Sequence, residues 1–118
     1  MRKKAYICAP YRGKNKKEVE ENVRKAARYS ILAYDEGWLP VVVHPIIKEV
    51  WGLDTTGELV DQIITNFNMN LLKSCDALII CGLKVSKGMK YEIDWCKANK
   101  KSIIYHKDWG KTVTGKSW

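Results

Sequence analysis

Residues 5–13, with the sequence AYICAPYRG, join a short apolar run to a turn that contains Pro10 and Gly13. An apolar run that ends at such breakers is typical of a buried β-strand. From about Asn15 to Glu36 the apolar residues recur at helical spacing, and Gly37 predicts a left-handed cap at the end of that helix. The stretch therefore predicts a strand, a tight turn and a long helix.

The same alternation continues along the rest of the chain. Residues 39–43 form a β-branched run without polar alternation, which predicts a strand buried on both faces, as in a parallel sheet. His44 and Pro45 end this strand, and residues 46–57 have no clear period, which is typical of a loop that carries function. The remaining predicted elements are a helix from Glu58 to Lys73, a strand from Ala77 to Cys81, a helix from Ser86 to Asn99 with Ser86 as N-cap, and a strand from Ser102 to Tyr105.

Strands that alternate with helices require right-handed parallel crossovers. We therefore predict an α/β fold in which residues 1–118 form a single domain. Its open parallel sheet has four or five strands and helices on both faces, as in flavodoxin-like and Rossmann-like proteins. Ligands of such sheets bind beyond the carboxyl ends of the strands, so the site candidates are residues 10–13, His44 and residues 82–88. The tail from Asp108 onward has no assignment.

The composition is that of one basic globular domain. The chain has 118 residues, too few for two independent cores, and its 21 Lys and Arg against 13 Asp and Glu give a net charge of +8. This charge favours an anionic partner or, equally well, serves solubility. No apolar run approaches the roughly 20 residues of a membrane span, and the first run is too short for a signal peptide, so we expect a cytoplasmic protein that does not bind membranes. Four cysteines without a CxxC pair predict neither a zinc site nor disulfides, and no cofactor is expected.

Glu92 stands out among the carboxylates of the predicted third helix. Asp94 has Lys90 and Lys97 within one turn, whereas Glu92 has only uncharged residues three and four positions away. A carboxyl group beside an apolar stripe with no local cation is poorly solvated, which raises its pKa. Such a group near a glycine turn is a candidate nucleophile or base. The alternative is a boundary glutamate whose carboxylate reaches water.

Two predicted turns have the features of an anion site. Arg12 and Gly13 precede a helix, whose N-terminal amides and dipole favour an anion, and Arg12 adds a planar donor fork. Residues 86–89 open another helix, where Gly88 costs roughly 1 kcal/mol against Ala, a cost that is explained if a ligand approaches the backbone there. The alternatives are an ordinary β-turn with an exposed Arg and a simple junction between loop and helix. Neither a P-loop nor a GxGxxG pattern is present.

Residues 6–13 and 86–92 together resemble the nucleoside 2-deoxyribosyltransferase-like family, which includes the deoxynucleoside 5′-monophosphate N-glycosidases. The chain is most similar to small phage and bacterial members without assigned function. His44 and Asp76 stand at matching positions, so the resemblance extends from Tyr6 to about His106. It implies that Glu92 attacks C1′ of a 2′-deoxyribose and that His44 lies near the base. The substrate-binding residues that it implies are Tyr6, Arg12, Gly13, Ser86, Gly88 and Met89, with Ser86 a candidate to act across a dimer interface.

One position departs from the family pattern. The family has a second carboxylate on the helix before the third strand, eight residues ahead of Asp76, and this chain has Asn68 there. An amide can form hydrogen bonds with a base but has no acidic proton to give it. Asp61, Asp54 and His44 are the alternatives for the acid. Asp76 itself lies at the opposite end of its strand, which indicates a structural role.

Three functions remain open at this stage. The first is an enzyme that cleaves the N-glycosidic bond of, or transfers 2-deoxyribose from, a deoxynucleoside or its 5′-monophosphate. The second is a non-catalytic nucleotide-binding module of the same fold, which Asn68 favours. The third is a basic nucleic-acid-binding protein, although the basic residues are scattered and form no recognition helix. We also expect a homodimer or larger oligomer, because five Trp residues are many for so small a domain.

Overall fold

The computed structural model of the protein describes residues 1–52 and 57–109. These residues form an α/β fold with one open sheet of four strands, as predicted. The elements in chain order are β1 (Lys4–Cys8), α1 (Lys16–Asp35), β2 (Leu39–Val41), a short π-helix (Ile46–Val50), α2 (Glu58–Lys73), β3 (Ala77–Cys81), α3 (Lys87–Ala98) and β4 (Ser102–His106).

All strands of the sheet are parallel, and their order is β2-β1-β3-β4. Strand β2 pairs with one side of β1, and the next connection passes over β1 so that β3 pairs with its other side. Right-handed crossovers in opposite directions place their helices on opposite faces of a sheet. The carboxyl ends of β1 and β3 therefore form the topological switch point, where ligands of such sheets bind.

The two faces of the sheet carry two separate cores. Ala5 and Ile7 of β1 pack with Tyr29 and Ala33 of α1 on one face. The alternate residues of β1 point to the other face, where α2 and α3 pack. Tyr6 and Cys8 are fully buried in that second core together with Leu72, Ile93 and Met89. Helices thus cover both faces, and the side chains of Tyr6 and Cys8 face α3.

The second strand differs from its prediction. It contains only Leu39–Val41, and Leu39 is exposed, so the expectation of a strand buried on both faces over residues 39–43 is wrong. The physical reason is that β2 lies at the edge of the sheet, where only one neighbour is present. Val43 leaves the ladder but stays buried in the core with α2 and α3.

The segment after His44 was expected to be an irregular loop and is helical in its first part. The π-helix over Ile46–Val50 buries Ile47 completely. A single turn is too short to produce a periodic signal in the sequence, which is why the pattern did not reveal it. Asp54, one of the alternatives for the acid, lies outside the described residues.

Several local predictions are confirmed. Gly37 has a φ of +102° just past the end of α1, and Ser86 is the N-cap of α3. Asp76 has a structural role, because its carboxylate accepts a hydrogen bond of 2.8 Å from the amide of Lys4 at the start of β1.

At the other end of the described chain, Trp109 is buried and stacks on His106 with ring centroids 4.0 Å apart. In residues 1–52 and 57–109 no helix has both the length and the apolar character to cross a membrane.

Candidate functional site

A cavity of about 470 Å³ opens at the carboxyl edge of the sheet, beside the switch point. Its walls come from the end of β1 and the turn that follows, from the π-helix, from α2 and from the first turns of α3. The candidates for catalysis and for substrate binding line it except Gly13, whereas Pro10 and residues 82–85, which the strand ends had also indicated, do not. The candidates that line the cavity are Tyr6, Arg12, His44, Asn68, Ser86, Gly88, Met89 and Glu92.

Glu92 is a buried carboxyl group in the wall of this cavity, only 8 % exposed. The hydroxyl group of Tyr6 donates a hydrogen bond of 2.6 Å to its Oε2 atom. The thiol of Cys8 donates a weaker one to Oε1, with 3.5 Å between sulfur and oxygen. Burial raises the pKa of Glu92 to about 7, and the donors of Tyr6 and Cys8 lower it by less than burial raises it.

Asp94, on the same helix, shows what an ordinary surface carboxylate looks like in this chain. Its Oδ2 atom accepts a hydrogen bond of 2.8 Å from Nζ of Lys90, and its side chain is 57 % exposed. The absence of charged residues three and four positions from Glu92 therefore did distinguish the buried carboxyl group of Glu92 from the exposed one of Asp94.

His44 is buried and has one of its two ring nitrogens bonded. Nε2 lies 2.8 Å from the carbonyl oxygen of Ala9, and since a carbonyl oxygen only accepts, Nε2 carries the proton of this bond. Burial lowers the pKa of His44, so that the ring is neutral at pH 7 and Nδ1 is an acceptor. Neither this Nδ1 atom nor the buried Oδ1 atom of Asn68 has a hydrogen-bond partner in the described part of the chain.

The N-terminus of α3 forms a closed reciprocal cap beside the cavity. The amide of Met89 donates to Oγ of Ser86 at 3.3 Å, and the amide of Ser86 donates to Sδ of Met89 at 3.4 Å. Gly88 stands between them, and a Cβ atom at that position would meet nothing within 4 Å. Ser86 lines the cavity of its own chain.

Gly13 lies outside the cavity and has a packing role. A Cβ atom at Gly13 would lie 2.4 Å from Cβ of Glu18, so the turn must have a glycine there for α1 to begin where it does. Oε1 of Glu18 accepts a hydrogen bond of 3.0 Å from the amide of Lys14, and Oδ1 of Asn15 accepts one of 2.9 Å from the amide of Glu18. The start of α1 is therefore capped by side chains of the chain itself.

Arg12 does reach the cavity, but a carboxylate already contacts its guanidinium group. Nη2 of Arg12 lies 2.6 Å from Oδ1 of Asp61, which comes from the first turn of α2 and also lines the cavity. The two side chains are 31 % and 59 % exposed. The pair therefore lies at the solvent-exposed entrance of the cavity rather than deep inside it.

Sequence reasoning missed two contacts of the site. The sequence analysis gives Cys8 no role in the site, although its place two residues after Tyr6 on one strand puts both on the same face. That periodicity could have identified Cys8 once Tyr6 had been chosen. Asp61 was considered only as an acid, and the sequence carries no sign of its pairing with Arg12, 49 residues away.

Together the fold and the site define a parallel α/β protein with a cavity at its topological switch point and a buried carboxyl group in the cavity wall. Residues 3–106 match the model of a family described as a domain of unknown function, DUF7768, and the chain belongs to that family. No curated protein matches the chain. Across residues 1–52 and 57–109, no group of three or more His, Cys, Asp or Glu side chains is arranged to hold a metal ion.

Proposed function

We propose that the protein breaks the N-glycosidic bond of a deoxynucleoside or its 5′-monophosphate, by hydrolysis or by transfer of the 2-deoxyribosyl group, with Glu92 as nucleophile. The observation that carries the proposal is the buried Glu92 carboxyl group in the cavity, held by the Tyr6 hydroxyl at 2.6 Å. The resemblance of residues 6–13 and 86–92 to the nucleoside 2-deoxyribosyltransferase-like family supports the same chemistry.

In the first step of this reaction, an ionised oxygen of Glu92 forms a bond to C1′ of the sugar. The bond between C1′ and the base nitrogen breaks, and its electron pair leaves with the base. Water, or the base of a second substrate, then attacks C1′ and releases the carboxylate. A pKa of about 7 makes Glu92 more basic than an ordinary glutamate while leaving much of it ionised at neutral pH.

The departing base also needs a proton, and the candidates in the described residues are poor donors. The one N–H group of neutral His44 is bonded to Ala9, Asn68 has no acidic proton, and Asp61 is an exposed, ion-paired carboxylate. In this proposal the base therefore takes its proton from solvent at the open mouth of the cavity. This favours substrates whose base leaves readily.

The test is incubation with each of the four deoxynucleosides and their 5′-monophosphates, with chromatography for free base. We expect release from at least one of them, and loss of that release in Glu92→Gln. Asp94→Asn is the matched control, because it removes a carboxylate from the same helix outside the cavity. If the unaltered protein releases no base from any of the eight compounds, the enzyme proposal is wrong.

A second function is favoured by Asn68, whose amide stands where the nucleoside 2-deoxyribosyltransferase-like family that the chain resembles has a carboxylate. In this alternative the cavity binds a nucleotide or nucleoside and performs no chemistry. Calorimetry separates the two: binding without base release supports the module, and binding with release supports the enzyme. A protein that binds none of the eight compounds would exclude both.

We also propose that the protein is a homodimer or a larger closed oligomer. Several large apolar side chains stay exposed, including Leu59, Leu83 and Val50. Exposed apolar side chains, where they form a contiguous patch, are common at interfaces between subunits. Light scattering at micromolar concentration measures the mass directly, and the mass of a monomer would contradict the proposal.

A further inference from the structure

We infer that Asp61 selects against a 5′-phosphate by competing with it for Arg12, so that the site takes a deoxynucleoside in preference to the 5′-monophosphate. The inference rests on the proposed function and names its substrate class. It starts from the contact of 2.6 Å between Nη2 of Arg12 and Oδ1 of Asp61, both of which line the cavity.

Several donors at the two predicted anion sites are already bonded within the chain. The carboxylate of Asp61 contacts the guanidinium group of Arg12, and that of Glu18 accepts from the amide of Lys14. At the start of α3, the amides of Ser86 and Met89 donate to each other's side chains. A phosphate at Arg12 would have to compete with the carboxylate of Asp61, which carries a charge of the same sign and repels it.

A phosphate and a hydroxyl group differ in what they bring to the pair of Arg12 and Asp61. A phosphate monoester near pH 7 carries a charge of about −1.5 to −2 and presents acceptor oxygens. It can accept from Arg12 but meets the carboxylate of Asp61 as a like charge. A sugar 5′-hydroxyl has one donor and two acceptor positions, so it can accept from Arg12 and donate to Asp61 without separating them. The neutral nucleoside is the better match for the pair.

The exposure of the pair makes its removal a clean experiment. Because the Arg12 and Asp61 side chains are 31 % and 59 % exposed, their pairing contributes little to folding, and Asp61→Asn should remain folded. Asp94→Asn is a matched control: Asp94 is 57 % exposed and paired with Lys90, but it does not line the cavity.

Binding of the four deoxynucleosides and their monophosphates is measured by calorimetry in a Glu92→Gln background, where no base is released. We expect nucleosides to bind more tightly than their monophosphates when Asp61 is present. Asp61→Asn should strengthen monophosphate binding about tenfold, as expected for removing one partly solvated like charge, and change nucleoside binding by less than about threefold. Asp94→Asn should leave the preference unchanged.

Adding Arg12→Ala to Asp61→Asn should abolish the gain for monophosphates, because the gain arises through the released guanidinium group. The inference is overturned if Asp61→Asn leaves the preference unchanged, or if the monophosphate already binds more tightly with Asp61 in place. These results concern binding alone, so they are distinguishable from a failure of the proposed chemistry, which base release reports. Absence of all binding would overturn the inference and the proposed function together.

Discussion

The hydroxyl group of Tyr6 and the carboxyl group of Glu92 are 2.6 Å apart, although 86 residues separate them in the sequence. The contact joins the central strand β1 to the second turn of α3, across the junction where the sheet topology reverses. It fixes one oxygen of a carboxyl group that burial would otherwise keep protonated at neutral pH. The donor of this bond therefore favours the charged form that burial disfavours.

Glu92 should make the protein less stable as the pH rises. Its pKa is about 7 in the folded protein and has its ordinary value of 4.5 in the unfolded chain, so the folded state holds a proton that the unfolded state releases between these values. The free energy of unfolding therefore falls by about 3 kcal/mol from pH 4.5 to 7 through this group, and no further above that. Because glutamine does not ionise, the Glu92→Gln variant should not lose this stability as the pH rises.

Urea unfolding of the unaltered protein and of Glu92→Gln at pH 5 and pH 8 measures the effect. At each pH we take the free energy of unfolding of Glu92→Gln minus that of the unaltered protein. We expect this difference to be more positive at pH 8 than at pH 5. His44, with its lowered pKa, destabilises both proteins below its ordinary range near pH 6.5, and this contribution cancels in the difference. Equal differences at the two pH values would show that Glu92 does not titrate in this window.

Tyr6→Phe and Cys8→Ala should each raise the pKa of Glu92 further, because each removes a donor to the ionised carboxylate. A hydrogen bond to a charged group is worth roughly 1.5–3 kcal/mol, so Tyr6→Phe should move the pKa of Glu92 upward by about one to two pH units. Cys8→Ala should have a smaller effect, since its contact is longer. The measurement is the carboxyl ¹³C signal of Glu92 as a function of pH, compared with Asp94 in the same spectra. An unmoved titration in Tyr6→Phe would contradict the role given to this hydroxyl.

Gly88→Ala should stabilise the fold and weaken ligand binding at the same time. Alanine in a helix is favoured over glycine by roughly 1 kcal/mol, and the new methyl group would meet nothing within 4 Å. Because Gly88 lines the cavity, that methyl group occupies space that a ligand needs. Thermal unfolding and calorimetry with the tightest-binding deoxynucleoside measure the two effects. Unchanged affinity in a stabilised variant would show that the ligand does not approach Gly88.

Asn68→Asp should raise the rate of base release, because it places a carboxyl group on the cavity wall where an acid is missing. General acid catalysis commonly contributes about 10²–10⁴-fold, so a gain of tenfold or more is expected. Asn70→Asp serves as the control, since Asn70 is exposed on the same helix. A rate that stays the same or falls would mean that the departing base does not lie beside residue 68.

The sequence predicted the central part of the fold better than its edge. Ala77–Cys81 was predicted with the bounds that β3 has, because a strand with neighbours on both sides is buried throughout and reads as an unbroken apolar run. Edge strand β2 was predicted two residues too long, since Val42 and Val43 are just as apolar but pack against the two cores rather than join the ladder. An apolar pattern indicates burial, and it does not identify which neighbour provides it.

The site was predictable where its residues follow the regular elements and not where it depends on pairing. Glu92 could be identified because a helix makes its neighbours three and four positions away known from the sequence. The contact of Arg12 with Asp61, and the use of Glu18 as a cap, join exposed charged residues whose partners depend on how the loops lie. Any of the surface carboxylates could have filled those positions as far as the sequence indicates.

The carboxylate of Glu18 at the start of α1 has a consequence for how a ligand enters. The amide of Lys14 and the carbonyl oxygens of Tyr11 and Arg12 are hydrogen-bonded within the chain, so under the proposed function binding need not order this part of the turn. Association should then be rapid, with little loss of backbone entropy, and the heat-capacity change on binding should reflect only the apolar surface that the ligand covers. Under the proposed function, a substrate would therefore enter a cavity whose entrance turn is held in place by Glu18 before binding.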